Sequence, residues 1–204
     1  MPNLSATLEP HVPQEESDMR RHSQGELLLQ NRDLERFLAD VERRAFRIAR
    51  IGLRNDEDAL DAVQDAMLKL AHGYAHRPRA EWAPLLYRIL QNRIRDGQRR
   101  RQTRNRIFAW LPGFDQDDSA DPQDNAPADQ PGEVERLMAH EAMHRLEQCI
   151  AELPQRQQQA FMLRNFEGLD VAQTASAMGC SEGSVKTHYS RAVHTLRQRL
   201  GDTW

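Results

Sequence analysis

Gln173-Thr174-Ala175-Ser176-Ala177-Met178-Gly179-Cys180-Ser181-Glu182-Gly183-Ser184-Val185-Lys186-Thr187-His188-Tyr189-Ser190-Arg191 reads as a helix, a tight turn and a second helix. Ala175 is small where two helices must approach closely, Gly179 can take the positive φ that the turn demands, and Val185 is an apolar plug on the second helix. Ser181 is placed to cap that helix, which leaves Lys186, Thr187, Ser190 and Arg191 on its exposed side. Hydroxyls and cations on one helical face suit the major groove of DNA, where Lys and Arg bond guanine edges and hydroxyls bond several bases. A helical hairpin with a solvated basic face would use the same residues, so the stretch alone indicates DNA binding without requiring it.

The surrounding chain of 204 residues has room for one large domain or two small ones. Its hydrophobic content of 39%, charged content of 29% and mean hydropathy of −0.80 predict small cores and some unfolded chain. The formal net charge of −3 is an average over segments of opposite sign, so its distribution carries more information than its value. Cys149 and Cys180 lie far apart and the N-terminus has no continuous apolar segment, which argues against secretion and a disulfide framework. No run approaches the roughly 20 apolar residues of a membrane span, so the expectation is a cytoplasmic protein without membrane insertion.

Residues 1–30 contain three prolines, scattered charge and no sustained period, a composition that predicts a disordered leader. Within it, Met19 followed by Arg20 and Arg21 is a candidate translation start. From Leu34, the residues Phe37, Leu38, Val41, Ala45, Ile48, Ala49 and Leu53 recur at three- and four-residue intervals and define an amphipathic helix. A second helix starts at Asp56, with acids in its first turn and Leu60, Val63, Met67, Leu68 and Leu70 as its expected buried side. Asp61, Gln64 and Asp65 then face outward. A loop is expected from His72 to Trp82, and Pro84 suits the first turn of a third helix.

That third helix carries Leu85, Leu86, Ile89, Leu90 and Ile94 on one side. From Arg88 to Arg106 it also carries eight arginines opposed only by Asp96, a run that calls for an anionic partner such as phosphate. Trp82 and Tyr87 are either base-stacking aromatics or core residues. Between Leu111 and Gly132 the composition turns to aspartate and proline with no basic residue, which marks a flexible acidic tether between two helical domains.

A further helix from Glu133 to Leu153 contains His140-Glu141-Ala142-Met143-His144, a literal match to the H-E-x-x-H zinc-protease pattern. Val134, Met138, Ala142, Leu146, Cys149, Ile150 and Leu153 define its expected packing side, and both histidines fall nearly opposite. Catalytic zinc ligands belong in a cleft, and the glycine and third histidine of the extended protease motif are missing. A solvated histidine pair is the better account, with no metal, cofactor or enzymatic activity expected. Gln155 to Phe166 forms one more helix, closed by Gly168, before Asp170 caps the helix-turn-helix.

Four blocks in order carry a family resemblance: Asp58-Ala59-Leu60-Asp61-Ala62-Val63-Gln64-Asp65, Leu86-Tyr87-Arg88-Ile89-Leu90-Gln91-Asn92, Glu152-Leu153-Pro154, and the helix-turn-helix through Gly183-Ser184-Val185-Lys186 to Arg191-Ala192. Over about residues 33–106 and 133–200 the chain resembles an extracytoplasmic-function sigma factor of bacterial RNA polymerase. The resemblance implies an all-α fold of two small helical domains joined by a flexible acidic linker, the second containing the helix-turn-helix. The expected divisions are a leader at 1–30, a polymerase-binding and promoter-melting domain at 31–108, the linker at 109–132 and a duplex-reading domain at 133–204. By the same resemblance Asp61, Gln64 and Asp65 bind the clamp of the polymerase β′ subunit. Tyr87, Arg88, Asn92, Arg95, Asp96, Arg99 and Arg100 engage the melted minus-ten element, and Lys186, Thr187, Ser190 and Arg191 read the minus-thirty-five element as duplex. The implied partners are core polymerase, through the β′ clamp and β flap, promoter DNA and an anti-sigma factor.

The chain departs from the family pattern at Met67, where an aromatic is usual, and at His188, where an arginine is usual. A LuxR-type regulator is the alternative, since Val185-Lys186-Thr187-His188 also resembles its recognition helix, but that reading leaves the acidic and arginine-rich helices without a task.

Overall fold

The computed structural model describes the backbone of residues 14–108 and 133–201 and the side chains of residues 30–104 and 136–201. Seven helices account for these residues: α1 (Gln14–Leu53), α2 (Asp56–Tyr74), α3 (Arg79–Phe108), α4 (Glu133–Ala151), α5 (Gln155–Asn165), α6 (Val171–Met178) and α7 (Glu182–Leu200). No strand occurs among the described residues, as expected of an all-α chain. The expected acidic linker at 109–132 lies outside the described residues. Residues up to Asp40 and residues from Val41 onward form two compact units.

Three expectations about helix limits are corrected. Helix α1 begins at Gln14, so residues 14–30 of the expected disordered leader are helical. The leader's prolines all precede Gln14, and residues 14–30 are rich in Glu, Gln, Arg and Leu, which are good helix formers. Helix α2 continues to Tyr74 and α3 begins at Arg79, which shortens the expected loop to residues 75–78. Pro78 opens α3, its carbonyl accepting from the Glu81 N–H at 2.8 Å. Pro84 falls inside the helix, where the carbonyl it leaves without an amide partner belongs to solvent-exposed Ala80.

In the second unit, α1 buries Val41, Ala45, Ile48, Ala49 and Leu53. Helix α2 is capped by Asn55, whose side chain accepts from the Asp58 N–H at 2.8 Å, and buries Ala59, Ala62, Val63, Ala66 and Leu70. This small-residue face brings the α2 backbone close to α3. It also corrects the expected buried side, because Leu60 and Leu68 are 46% and 57% exposed. Close approach recurs where α1 meets α3. A Cβ on Gly52 would lie 2.7 Å from Ile94 Cγ2, and one on Gly97 would lie 2.6 Å from Leu53 Cδ2. The contact lets α3 satisfy the last carbonyls of α1: Gln98 donates to the Gly52 carbonyl at 2.7 Å and Arg101 to the Leu53 carbonyl at 3.1 Å.

In the C-terminal group, Asp170 and Gln173 form a reciprocal capping box at the start of α6. Gly179 closes α6 in the left-handed region with φ 61°, and Ser181 caps α7 by accepting from the Ser184 N–H. Ala175 of α6 and Val185, Ala192 and Leu196 of α7 are buried, α7 packing on α4, α5 and α6, and Phe161 stacks on Tyr189 at 6.3 Å. Helix α4 is packed only along its last turns. Ile150 and Leu153 are buried, Leu146 and Cys149 half-buried, and the expected packing residues Met138 and Ala142 are exposed. The stripe fades because the first turns of α4 have no neighbour among the described residues to cover them.

The two helical groups expected as separate small domains are in contact. Helix α6 packs on α3. Arg44 of α1 pairs with Glu167 at 3.1 Å, while Arg47 and Arg50 both pair with Glu147 of α4, at 3.1 and 2.7 Å. Arg54, itself left-handed at φ 54°, donates to the Ala151 carbonyl, and Gln155 of α5 donates to Gln98 of α3 at 2.8 Å.

The glycines of this architecture separate by role. Gly52→Ala should destabilise the chain by about 1 kcal/mol, because overpacking against the β-branched Ile94 costs more than the gain in helix propensity returns. Gly73→Ala, with nothing within 4 Å of the added methyl, should stabilise by up to about 1 kcal/mol. Urea midpoints at constant m-value read both, and equal shifts of one sign would refute the close-packing account.

Candidate nucleic-acid interface

Helix α3 divides its circumference between packing and charge. Leu86, Ile89, Leu90 and Ile94 are buried, and Arg88, Asn92, Arg95 and Arg99 form an exposed stripe at helical spacing. Asp96 and Arg100 are exposed one residue further round. Such a row of guanidinium groups, with an amide among them, can hold several phosphates of a nucleic-acid strand and offer hydrogen bonds to bases.

Tyr87 is the exception among the expected minus-ten residues. It is fully buried, as is Trp82, so of the two readings left open for these aromatics the structure has them in the core. The Tyr87 hydroxyl lies against the Glu167 carboxylate. Burial, reinforced by the Glu167 charge, pushes the Tyr87 phenol far above the ordinary tyrosine range. Burial also raises the Glu167 carboxyl, against the opposing pull of the Tyr87 hydroxyl and the Arg44 guanidinium. Gln91, one turn after Tyr87, is buried with its amide nitrogen unpaired.

The expected polymerase-facing residues Asp61, Gln64 and Asp65 are all exposed on α2. Exposed Leu60 and Leu68 flank them, giving this face an apolar component. Sequence periodicity missed this because a leucine beside an alanine-rich stripe is assigned to the core by its hydrophobicity alone. Asp65 pairs across to Arg93 of α3 at 3.3 Å, so the acidic face and the arginine-bearing helix are physically joined.

On α7, Lys186, Thr187, Ser190 and Arg191 are all exposed. Thr187 commits its hydroxyl hydrogen to the Gly183 carbonyl at 3.0 Å, leaving its lone pairs and methyl outward. The helix is held from behind by Val185 and by Tyr189, whose hydroxyl reaches Asn165 and whose ring lies 5.9 Å from the Arg164 guanidinium. Arg156 donates to the Met178 carbonyl and so fixes the end of α6 that positions the turn. The histidines of the H-E-x-x-H match, His140 and His144, are exposed on α4, and no group of metal-ligating side chains assembles among the described residues.

Comparison with known families places both helical groups. Residues 34–104 match sigma-70 region 2, and residues 143–196 match sigma-70 region 4. The ECF RNA polymerase sigma factor SigM of Mycobacterium tuberculosis is 32% identical over 161 residues, covering 78% of this chain and 72% of SigM. SigL of the same organism, also an ECF sigma factor, is 28% identical over 165 residues, covering 76% of this chain and 84% of SigL. Among solved structures, the sigma factor RpoE bound to the anti-sigma factor NepR from Bartonella quintana superposes with a TM-score of 0.53 at 21% identity, over 90% of this chain and 99% of RpoE. CnrH in complex with the cytosolic domain of CnrY gives the same TM-score at 18% identity, over 84% of this chain and 92% of that one. These two share the fold. With region 2 on the arginine-striped α3 and its neighbours, and region 4 on the helix-turn-helix, the chain belongs to the ECF sigma factors, which bind core RNA polymerase and direct promoter-specific transcription initiation.

Proposed function

We propose that three separate surfaces of this sigma factor divide the work of initiation. The observation that carries the division is that acids and cations lie on different exposed faces: Asp61, Gln64 and Asp65 on α2, Arg88, Asn92, Arg95 and Arg99 on α3, and Lys186, Thr187, Ser190 and Arg191 on α7.

The α2 face docks on the clamp of the polymerase β′ subunit. Asp61 and Asp65 meet cations there, Gln64 supplies both hydrogen-bonding senses, and Leu60 and Leu68 bury apolar area at the rim. The α3 stripe holds the sugar–phosphate backbone of the melted minus-ten strand, with Asn92 and Asp96 facing base edges and Arg99 and Arg100 extending the phosphate track. The α7 residues enter the major groove of the minus-thirty-five element, Lys186 and Arg191 bonding guanine edges while Thr187 and Ser190 contact bases more permissively. Residues 109–132 act as the tether between these readers. Region 4 also meets the β flap, and the protein works in the cytoplasm without catalysing a reaction. An anti-sigma factor is its regulator, as NepR is bound to RpoE and CnrY to CnrH in the structures that share this fold.

Asp65→Arg should lower affinity for core polymerase by at least about tenfold, through loss of a favourable contact and repulsion from the same cations, with promoter-duplex binding by the C-terminal helices unchanged. Fluorescence anisotropy against purified core enzyme reads the first quantity and band-shift on duplex DNA the second. Lys186→Ala and Arg191→Ala should each cost about 1–3 kcal/mol of discrimination between cognate and random duplex. Equal losses on both duplexes would assign the two residues to phosphate contact and remove them from base reading.

A further inference from the structure

Helix α7 carries its packing residues and its base-facing residues on opposite arcs. At roughly 100° per residue, Val185, Tyr189, Ala192 and Leu196 form one stripe, and Lys186, Thr187, Ser190 and Arg191 lie across from it. Val185, Ala192 and Leu196 are fully buried and end in aliphatic carbon. Contacts of that kind have no preferred direction, so they fix how far α7 lies from its neighbours and leave its rotation about its own axis weakly determined. Tyr189 differs from them. It is half-buried at the edge of the stripe, about 60° round from Lys186, and it is the stripe's one side chain with a polar atom.

Tyr189 makes three directional contacts with α5. Its ring stacks on buried Phe161, with centroids 6.3 Å apart and planes 16° from parallel. The Arg164 guanidinium lies 5.9 Å from the ring centroid, and the Tyr189 hydroxyl donates to Asn165 Oδ1 at 3.3 Å. Each of these partners is itself held. Asn165 donates its Nδ2 to the Phe161 carbonyl at 3.0 Å, which leaves Oδ1 for the hydroxyl. Arg164 donates to the carbonyl of Leu169, the residue before the Asp170 cap of α6, and Phe166 meets the Phe161 ring edge-on at 6.4 Å. The hydroxyl bond is long and exposed, so its contribution to stability is small. Its effect is angular. A rotation of α7 by about 10° moves an atom at the helix's outer radius of about 5–6 Å by about 1 Å. That exceeds the range of about 0.5 Å over which a hydrogen bond to a base edge stays good.

We infer that Tyr189 is a positioning residue for base reading: braced by Phe161, Arg164 and Asn165, it sets the rotation of α7 and so aims Lys186, Thr187, Ser190 and Arg191 at base edges without meeting DNA itself. This role rests on the assignment of α7 to the minus-thirty-five element. The brace controls sequence preference and not affinity for duplex as such, because flexible cationic side chains on phosphate tolerate a shift that bidentate base contacts do not.

The test uses the full chain bound to core polymerase and a promoter duplex that the parent selects from a library randomised at the minus-thirty-five element. Competition between that duplex and one scrambled at the same element gives a discrimination ratio, and urea midpoints of the free chain report folding. Tyr189→Phe keeps the ring and removes the hydroxyl, and Asn165→Ala removes its acceptor. Each should lower the ratio about threefold with affinity for the scrambled duplex unchanged. The double variant should do no worse than either, and Asn165→Asp, which keeps an acceptor, should retain the parent's ratio. Tyr189→Leu, which removes ring and hydroxyl and keeps an apolar side chain, should lower the ratio about tenfold. Ratios that stay at the parent's value in Tyr189→Phe and Tyr189→Leu would overturn the role. A loss in Tyr189→Phe that Asn165→Ala does not share, or to which it adds, would also overturn it, since that is the behaviour of a tyrosine touching DNA. Equal losses on both duplexes with a lowered urea midpoint would leave Tyr189 a packing residue only. A parent that selects no sequence would instead refute base reading by α7, and this role with it, however the variants rank.

Discussion

Helix α3 has to be buried on two sides and charged on a third, and most of the chain is arranged around that requirement. One side takes the alanine face of α2, another takes the glycine-mediated approach of α1 and the packing of α6, and the remainder carries Arg88, Asn92, Arg95 and Arg99. Gly97 gives up about 1 kcal/mol of helix propensity relative to alanine. With Leu53 Cδ2 within 2.6 Å of the missing methyl, that loss is the condition for α1 and α3 to touch. The same approach lets Gln98 and Arg101 reach the carbonyls that end α1, so a helix that must project cations also supplies the cap for its neighbour.

The helix-turn-helix was fully legible in the sequence because its determinants are local. Asp170 with Gln173, Gly179, and Ser181 each act within one turn of their own position, and each performs the role its residue type predicts. The exposed face of α7 is then set by the burial of Val185. The start of α3 was less legible because Pro78 and Pro84 are both acceptable near a helix N-terminus, and only the exposure of Ala80 decides that the second can sit inside. Leu60, Leu68, Met138 and Ala142 were misassigned for a common reason. Periodicity identifies a stripe that could be buried, but burial also needs a neighbour, and which helix has one is a tertiary property.

Tyr87 illustrates the converse. Its family position suggests a residue that meets DNA, and its chemistry fits a core aromatic equally well. Nothing within a few residues of it in sequence distinguishes these, because the group that covers it, Glu167, is far along the chain in the other helical group. The four arginines on α1 carry the signal that could have been read: cations recurring on the side away from an apolar stripe ask for acids somewhere, and Glu147 and Glu167 answer.

The energetics of those ion pairs depend on how they are broken. An exposed pair is worth at most about 1 kcal/mol, which would make the contact negligible, whereas a nearly buried carboxylate stripped of its cation costs several kcal/mol. Glu147 and Glu167 belong to the second class for substitution, since removing an arginine leaves a desolvated acid behind. They belong to the first class for separation, since moving the helical groups apart rehydrates both partners at once. A contact of half-exposed guanidinium groups over sheltered carboxylates is thus more sensitive to the loss of one partner than to the rehydration of both.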